Sequence, residues 1–490
     1  NDDPYARHRS YAAMRGVRTM KLNRQFFLWE QKGDQYLLTN DMGRFCFVSP
    51  CVFERLMKDE IVSEDPCAQA LSDNGFVSGD EAQFLGRWSD ELAQMKSCHF
   101  CATQLFILVL TDACNQRCVY CQAGSAHRST AFMSKDTAQK AIRIAAQSPT
   151  DHVTIEFQGG EPTLNQVVLK DAVPYARDLF DFLGKRVDFA IATNLTTGDT
   201  DIIDWLVAQN VHISTSLDGP ARLHDANRPL ADGAGSFERF REGADAYRKA
   251  CVRHGFAGQL GAIETTTRES LQYAEEIVDA YISQGMSRLY LRPLTPLGCA
   301  KERWGEIGYT AEAYLAFYRR ALNHILAHCM NGQPVSEMTA ALYLRRILCC
   351  QGVGHTEFRS PCGGGIGQMA VNYDGKIYPC DEARMLANMK DDAFLLGTVE
   401  NRYQELICSP VVHVLSTSSC IEGLPMCCDC VYSPYCAVCP VVTYGLAGDI
   451  ITHEIQSSHC KIAKGILDIL FDAIKDEAKR AILTRWAEDL

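Results

Sequence analysis

The amino-acid sequence predicts an α/β protein: a partial (β/α)6 TIM-like barrel, with a small α/β module before it and a cysteine-rich domain after it. Three observations predict this. Between residues 103 and 296, short apolar runs alternate with longer segments of helical periodicity. Each run stops at a polar or glycine-containing stretch. The 23 cysteines of the 490-residue chain bunch at 114–121 and 349–460 instead of being spread along it.

The apolar runs are 105–110, 153–157, 187–192, 212–217, 259–263 and 288–292, and helical segments between them include 135–147, 166–182, 237–254 and 271–283. Strand, helix and strand repeated in this order give parallel pairs joined by right-handed crossovers. Six such units make about three-quarters of an eight-stranded barrel, and barrels of this type carry their chemistry at the C-terminal ends of the strands. The runs end in Thr111-Asp112-Ala113-Cys114, Gln158-Gly159-Gly160-Glu161-Pro162, Thr193-Asn194, Ser216-Leu217-Asp218-Gly219, Glu264-Thr265 and Arg292-Pro293. These ends predict one shared site on the rim.

Ahead of the barrel, short strands are predicted at 26–31, 36–40 and 44–48, separated by the turns Lys32-Gly33-Asp34 and Asp41-Met42-Gly43. Helices are predicted at 50–58 and 65–74, then an amphipathic bridging helix at 310–332 and a final one at 462–486. The division expected is 1–100 for the first module, 101–300 for the barrel, 301–345 for the bridge, 346–465 for the cysteine-rich domain and 466–490 for the last helix.

Hydrophobic residues make up 47% and charged residues 22%, which sets the chain among globular proteins and not disordered ones. A net charge of −12 without a basic stripe argues against nucleic acid as a partner. No apolar run reaches the roughly 20 residues of a membrane span. Residues 1–21 are polar and Arg-rich, unlike a secretory signal, so a cytoplasmic location is expected. Bunched cysteines in such a protein read as metal ligands, not disulfides. Cys46, Cys51, Cys67, Cys251, Cys299 and Cys329 stand alone and read as buried fillers.

The central motif is Cys114-Asn115-Gln116-Arg117-Cys118-Val119-Tyr120-Cys121, directly after the first barrel strand. Three thiolates on a four-iron cluster leave one iron open to a substrate or cofactor, as an open zinc site does. Spacing alone leaves a zinc knuckle or an electron-transfer cluster as alternatives, with His127 the nearest further ligand.

This motif resembles that of the radical S-adenosylmethionine (SAM) superfamily, with Tyr120 at the position of its aromatic residue. The rim segments match in order. Gly159, Gly160, Glu161 and Pro162 resemble the second-strand motif that holds the SAM amino group, and Thr193 and Asn194 lie where polar contacts to SAM are usual. Ser216 and Arg228 resemble the pair that holds the SAM carboxylate and ribose in sulfatase-maturase-like members, while Glu264 and Arg292 complete the expected set. A carboxylate for an ammonium, a guanidinium for a carboxylate and glycines for close approach make chemical sense of these residues.

The second cysteine group resembles the SPASM domain: Cys362 and Cys380 around Gly375, then Cys427, Cys430, Cys436, Cys439 and Cys460. The resemblance implies two auxiliary 4Fe–4S clusters besides the catalytic one. Cys362, Cys380 and Cys439 with Cys350 (or Cys349) would hold the inner cluster, and Cys427 (or Cys428), Cys430, Cys436 and Cys460 the outer one. The gap before Cys439 is one residue shorter than usual, and a zinc-ribbon-like fold is the alternative on spacing. Asp381, directly after Cys380, matches the proton acceptor proposed in sulfatase maturases, although an aspartate there also suits a turn cap.

Along residues 26–465 the chain is most similar to the maturases of His-Xaa-Ser peptide systems, through 155–162, 191–195, 213–220, 291–296, Asn372-Tyr373-Asp374-Gly375 and 381–386. The resemblance implies reductive cleavage of SAM to a 5′-deoxyadenosyl radical and oxidation, with crosslinking, of a ribosomally made precursor peptide. The first module then reads as a winged-helix-like element for leader peptides, or as a cap on the barrel. A flavodoxin- or ferredoxin-type reductant and an accessory or second maturase protein are the further partners expected. A formylglycine-generating sulfatase maturase, and an inert electron-transfer or binding scaffold, are the alternative functions.

Overall fold

The computed structural model describes residues 20–22, 27–123, 131–451 and 457–490. The polar N-terminal stretch before Met20 and the ligand candidate His127 lie outside the described residues.

Six parallel strands follow one another in chain order: β6 (Leu105–Thr111), β7 (His152–Gly159), β8 (Arg186–Ala192), β9 (Val211–Ser216), β10 (Gly261–Thr265) and β11 (Arg288–Arg292). Each coincides with a predicted run to within a few residues. The periodicity is that of a sheet covered by helices. In β7, Val153, Ile155 and Phe157 are buried against the helix Gln166–Phe182, whose Leu169, Val173 and Phe180 are wholly buried, while Glu156 and Gln158 occupy the opposite face. Burying a side chain the size of Phe157 stabilises the fold by about 1.5–3 kcal/mol.

The sheet is larger than the six strands expected. β12 (Ser336–Glu337) pairs with β11, and on the far side β13 (Gln368–Val371) runs parallel to β6, followed by antiparallel β14 (Lys376–Tyr378) and β15 (Gly397–Thr398). The cysteine-rich region thus shares the barrel's sheet. These four strands are two to four residues long, too short for any periodicity to announce them. Two barrel helices, Thr200–Ala208 and Ala221–Asn227, were likewise not anticipated; the first is started by Asp199, which accepts from the Asp201 and Ile202 amides.

In the first module, β1 (Lys21–Leu22) pairs with β5 (Val77–Ser78), and β2 (Phe27–Lys32), β3 (Gln35–Asn40) and β4 (Phe45–Val48) form an antiparallel meander. Leu38, Val48, Phe53, Leu56, Ile61, Leu71 and Phe76 make its core. A third helix, Glu81–Met95, follows the two that were predicted. The module docks on the cysteine-rich region: Thr39 Oγ1 donates to the Val431 carbonyl at 2.6 Å, Tyr435 to Gly43 at 3.1 Å, and the Phe45 ring meets Phe471 at 5.2 Å.

Two expectations are corrected. The last helix is two, Ser458–Ala473 and Glu477–Glu488, because Asp476 accepts from the Lys479 amide and starts a new helix. Of the six lone cysteines only Cys299 is buried; Cys51 is exposed and the other four are half-buried. Among the described residues no helix is long and apolar enough to cross a membrane.

Candidate active site

The loop after β6 is held on both flanks. The Arg117 and Val119 amides donate to the Pro229 and Asn227 carbonyls at 2.8 and 2.9 Å, and the Cys299 amide donates to the Cys121 carbonyl at 3.1 Å. Arg117 Nη1 folds back onto the Cys114 and Gln116 carbonyls at 2.9 and 2.7 Å. The thiols of Cys114, Cys118 and Cys121 are thereby brought close enough to affect one another's charge, and all three are free of disulfides. Burial, with the negative charge of Glu161 next, pushes the Cys114 thiol up to about 12; burial raises Cys118 too, against the pull of Arg228.

Behind Cys114 lies a polar ring. Asn194 Nδ2 donates to Asn115 Oδ1 at 2.8 Å and approaches Cys114 Sγ at 3.8 Å, while Asn115 Nδ2 donates to Thr196 Oγ1 at 2.9 Å and Thr196 donates back to Asn194 Oδ1 at 2.7 Å. Leu195 adopts a φ of 58°, a conformation a bulky residue rarely takes, and turns the chain between Asn194 and Thr196.

The second-strand motif approaches the first loop through its glycines. A Cβ on Gly159, whose φ is 146°, would lie 2.2 Å from the Thr111 carbonyl oxygen, and one on Gly160 would lie 2.3 Å from that of Ala113. Glu161 is hydrogen-bonded through both of its carboxylate oxygens. Its carboxylate accepts from Thr163 Oγ1 (2.6 Å), the Thr163 amide (3.1 Å), Thr193 Oγ1 (2.7 Å) and the Asn194 amide (2.8 Å). Three of these donors fall on Oε1 and one on Oε2, which keeps room for a further donor. Glu161 is a buried clamp joining the β7 and β8 loops, and Pro162 opens the short turn it caps.

Asp218, at the end of β9, is a second hub that sequence reasoning did not single out. Its Oδ2 accepts from the Tyr120 hydroxyl at 2.6 Å and its Oδ1 from Arg228 Nε at 3.0 Å, all three groups being buried. The Arg228 guanidinium also lies 5.3 Å from the Tyr120 ring centre. Ser216 ends β9 half-buried. Glu264 on β10 is wholly buried and accepts from Thr266 at 2.7 Å; burial first, then the Asp218 charge, holds it well above the usual carboxylate range. Arg292 ends β11 but turns to the cysteine-rich region, donating to Glu357 at 3.0 Å and Glu382 at 3.4 Å.

That region also reaches into the barrel mouth. Cys380 precedes the helix Asp381–Asn388, in which Arg384 donates to Asp381 Oδ1 at 3.0 and 2.6 Å and approaches Asp112 Oδ1 at 3.8 Å. Asn388 donates to the Ala123 carbonyl at 2.9 Å. The helix thus meets the motif loop at its Cys121 end, through Arg384 and Asn388.

Residues 108–277 match the model of the Radical SAM superfamily. The barrel is a radical SAM domain. Its fold matches the structure titled native anSMEcpe with bound AdoMet, at a TM-score of 0.65 and 19% identity over 77% of this chain and 100% of that one. It also matches Streptococcus suis SuiB bound to S-adenosylmethionine, at 0.54 and 14% identity over 89% and 100%. By sequence the chain is 22% identical to a cysteine-type anaerobic sulfatase-maturating enzyme of Clostridium perfringens, over 56% of this chain and 74% of that one. It is 27% identical to an AdoMet-dependent heme synthase of Methanosarcina barkeri, over 72% and 95%.

A radical SAM domain makes the chain an enzyme and implies a 4Fe–4S cluster and SAM. The residues fit. Three half-buried thiols converge on one loop, and the Gln116 amide points at Cys114 Sγ at 3.4 Å, as donors to cluster sulfur do. Cys118 Sγ in turn faces Gln116 Oε1 at 3.6 Å. A single zinc would draw its thiolates to roughly 3.8 Å from one another; among the described residues no three cysteine sulfurs meet within 4.8 Å.

Seven further cysteines fall into two groups. Cys362 and Cys380 are buried and Cys439 is half-buried, the three within electrostatic reach of one another and of Glu382. Cys427, Cys430, Cys436 and Cys460 line one small cavity, and Cys428 does not line it. Cys350 joins neither: its thiol faces the Gly43 carbonyl at 3.5 Å, with Arg44 and Glu91 as its charged neighbours. Cys349 lies beside it, near Arg345 and Glu488. The inner group thus has three of its four expected cysteines.

Gly160→Ala is expected to destabilise the fold by about 1–3 kcal/mol, because its methyl meets backbone that cannot give way. Thermal melting and equilibrium dialysis of SAM check it; an unchanged melting point together with unchanged SAM affinity would show that the two loops are not in close contact.

Proposed function

We propose that the chain oxidises a carbon of a peptide substrate and that the product is a crosslinked ribosomal peptide, as in His-Xaa-Ser systems. The observation that carries this reading is the entry of the helix Asp381–Asn388 from the cysteine-rich region into the mouth of the radical SAM barrel, beside Cys121 and Asp112. Cys114, Cys118 and Cys121 would hold the 4Fe–4S cluster, which when bound would supply the electron for cleaving SAM to a 5′-deoxyadenosyl group able to remove a hydrogen atom from the substrate. Gly159 and Gly160 give SAM close backbone approach, Thr193 and Asn194 fix the loop behind it, and Tyr120, Ser216, Arg228 and Glu264 line its other side. Asp381, oriented by Arg384 on Oδ1, would take the substrate proton at Oδ2, and the electron left on the substrate radical would pass to an iron–sulfur cluster on the cysteine-rich side. Arg292, Glu357 and Glu382 form a charged wall on the same side as Asp381.

Two auxiliary 4Fe–4S clusters are proposed on the cysteine-rich side. Cys362, Cys380 and Cys439 would hold the inner one and Cys427, Cys430, Cys436 and Cys460 the outer one. The first module is proposed to seat a precursor peptide; support comes from SuiB, whose structure bound to precursor peptide SuiA has a TM-score of 0.50 with 86% of this chain covered. A cytoplasmic site of action with a flavodoxin- or ferredoxin-type reductant suits this chemistry. A second reading, a sulfatase-type maturase making formylglycine, is favoured by the higher TM-score of anSMEcpe, also solved with a bound Cp18Cys peptide.

Co-expression with a candidate precursor peptide, read by tandem mass spectrometry, tests the proposal: loss of two hydrogens with fragments joined between two residues is the expected result. Formylglycine in a sulfatase-derived peptide would select the second reading, and neither product would refute both. Asp381→Asn is expected to keep 5′-deoxyadenosine formation while lowering the modified product by about 10²-fold; equal loss of both would show that Asp381 does not serve the substrate step.

A further inference from the structure

Away from the barrel mouth, two helices on the outer layer present a set of ligand atoms that the proposed reaction does not use. The helix Ala274–Ser283 carries Asp279, and the bridging helix Ala311–Met330 carries His324 and His328, four residues apart and so on one face. Among the described residues these are the only three His, Cys, Asp or Glu side chains whose ligand atoms all lie within 4.8 Å of one another. His324 Nε2 is 2.8 Å from Asp279 Oδ1, His328 Nε2 is 3.0 Å from the same oxygen, and the two Nε2 atoms are 3.2 Å apart. A tetrahedral zinc bound to nitrogen and oxygen at about 2.0–2.1 Å sets its ligand atoms roughly 3.3–3.4 Å from one another. The three edges seen here are those of such a triangle, slightly contracted.

The protons argue in the same direction. His328 Nδ1 is 2.5 Å from Gln333 Oε1, an acceptor, so Nδ1 carries the hydrogen. In the neutral ring Nε2 then has a lone pair, and it faces a carboxylate oxygen and a second imidazole nitrogen. Three acceptor atoms point at one spot with at most the His324 proton to share. A divalent cation satisfies all three at once. The Nδ1–H to amide-oxygen bond is also the outer contact that fixes the tautomer of a metal-bound histidine. One turn back, Arg320 is already paired with Glu275 at 3.0 Å, so the nearest cation does not compete for Asp279.

We propose that Asp279, His324 and His328 form a zinc site that ties the barrel's outer helix to the bridging helix. Two imidazoles and one carboxylate suit zinc, and its fourth position is filled by water because Asp279 is exposed and the histidines only half-buried. The inference rests on this geometry alone and is independent of the proposed peptide chemistry.

The test uses the full-length, untagged, iron-loaded protein under anaerobic conditions. Zinc is titrated against a chromophoric chelator, and melting is followed with and without zinc. The wild type is expected to bind one more zinc ion per chain than His324→Ala/His328→Ala and to melt higher when zinc is present; the double variant should show neither effect at unchanged iron and sulfide content. Gln333→Ala should weaken zinc by about tenfold without removing a ligand. Equal zinc counts and equal melting shifts in the wild type and both variants would overturn the proposal.

Discussion

Cys118→Ala is expected to abolish 5′-deoxyadenosine formation, by about 10³-fold or more, equivalent to about 4 kcal/mol at the transition state. It should also remove about four irons per chain. Cys118 lies between Cys114 and Cys121 on a loop fixed by the Asn227 and Pro229 carbonyls, so alanine takes away a ligand without freeing the backbone. The remaining thiols are too few to hold a cubane open at one iron. Iron and sulfide analysis after anaerobic reconstitution and chromatography of the nucleoside product check both effects. Iron unchanged from the wild type would mean that this loop is not a cluster site.

Asp218→Ala is expected to cost about 3–5 kcal/mol of stability, the range for removing one partner of a buried ion pair. Arg228 would keep its charge with its carboxylate gone, and the Tyr120 hydroxyl would lose its acceptor. Asp218→Asn, which retains an acceptor of the same shape, should be milder. Denaturant unfolding of the two variants separates them; equal and small losses would show that water, not Asp218, satisfies the pair. Tyr120, Asp218 and Arg228 belong to three different segments, so the same change should also loosen the cysteine loop and raise the SAM concentration needed for turnover.

What the sequence made legible follows from its physics. Six strands of five to eight residues, each ended by a polar motif, give enough periodicity to fix barrel, order and rim, and Cys114, Gly160, Thr193, Ser216 and Arg292 all stand at strand ends. The partners of those motifs were not legible, because hydrogen bonds leave no spacing pattern. Glu161 reads as a ligand for an ammonium, and nothing in the sequence announces that Thr163, two positions on, and Thr193, 32 positions on, both donate to its carboxylate. Asp218 sat inside the quoted Ser216-Leu217-Asp218-Gly219 stretch; an acid beside a strand-end serine and ten residues before a buried arginine was the available signal. Cys350 (or Cys349) was grouped with Cys362 through the family resemblance, and the approach of the Cys350 thiol to the Gly43 carbonyl, 307 positions away, leaves no mark in the sequence.

The pairing of β13 with β6 has a consequence for synthesis. Thr103 and Ile366, hydrogen-bonded beside that ladder, are 263 positions apart. When the sixth strand of the barrel has left the ribosome, the first still shows an open, strongly apolar margin, and the segment that covers it has not been made. Such a margin is adhesive to other nascent chains. Truncated forms that stop before Gln368 should therefore aggregate instead of yielding a smaller working barrel, and the intact chain completes its catalytic half only once the opening part of its cysteine-rich half has been translated.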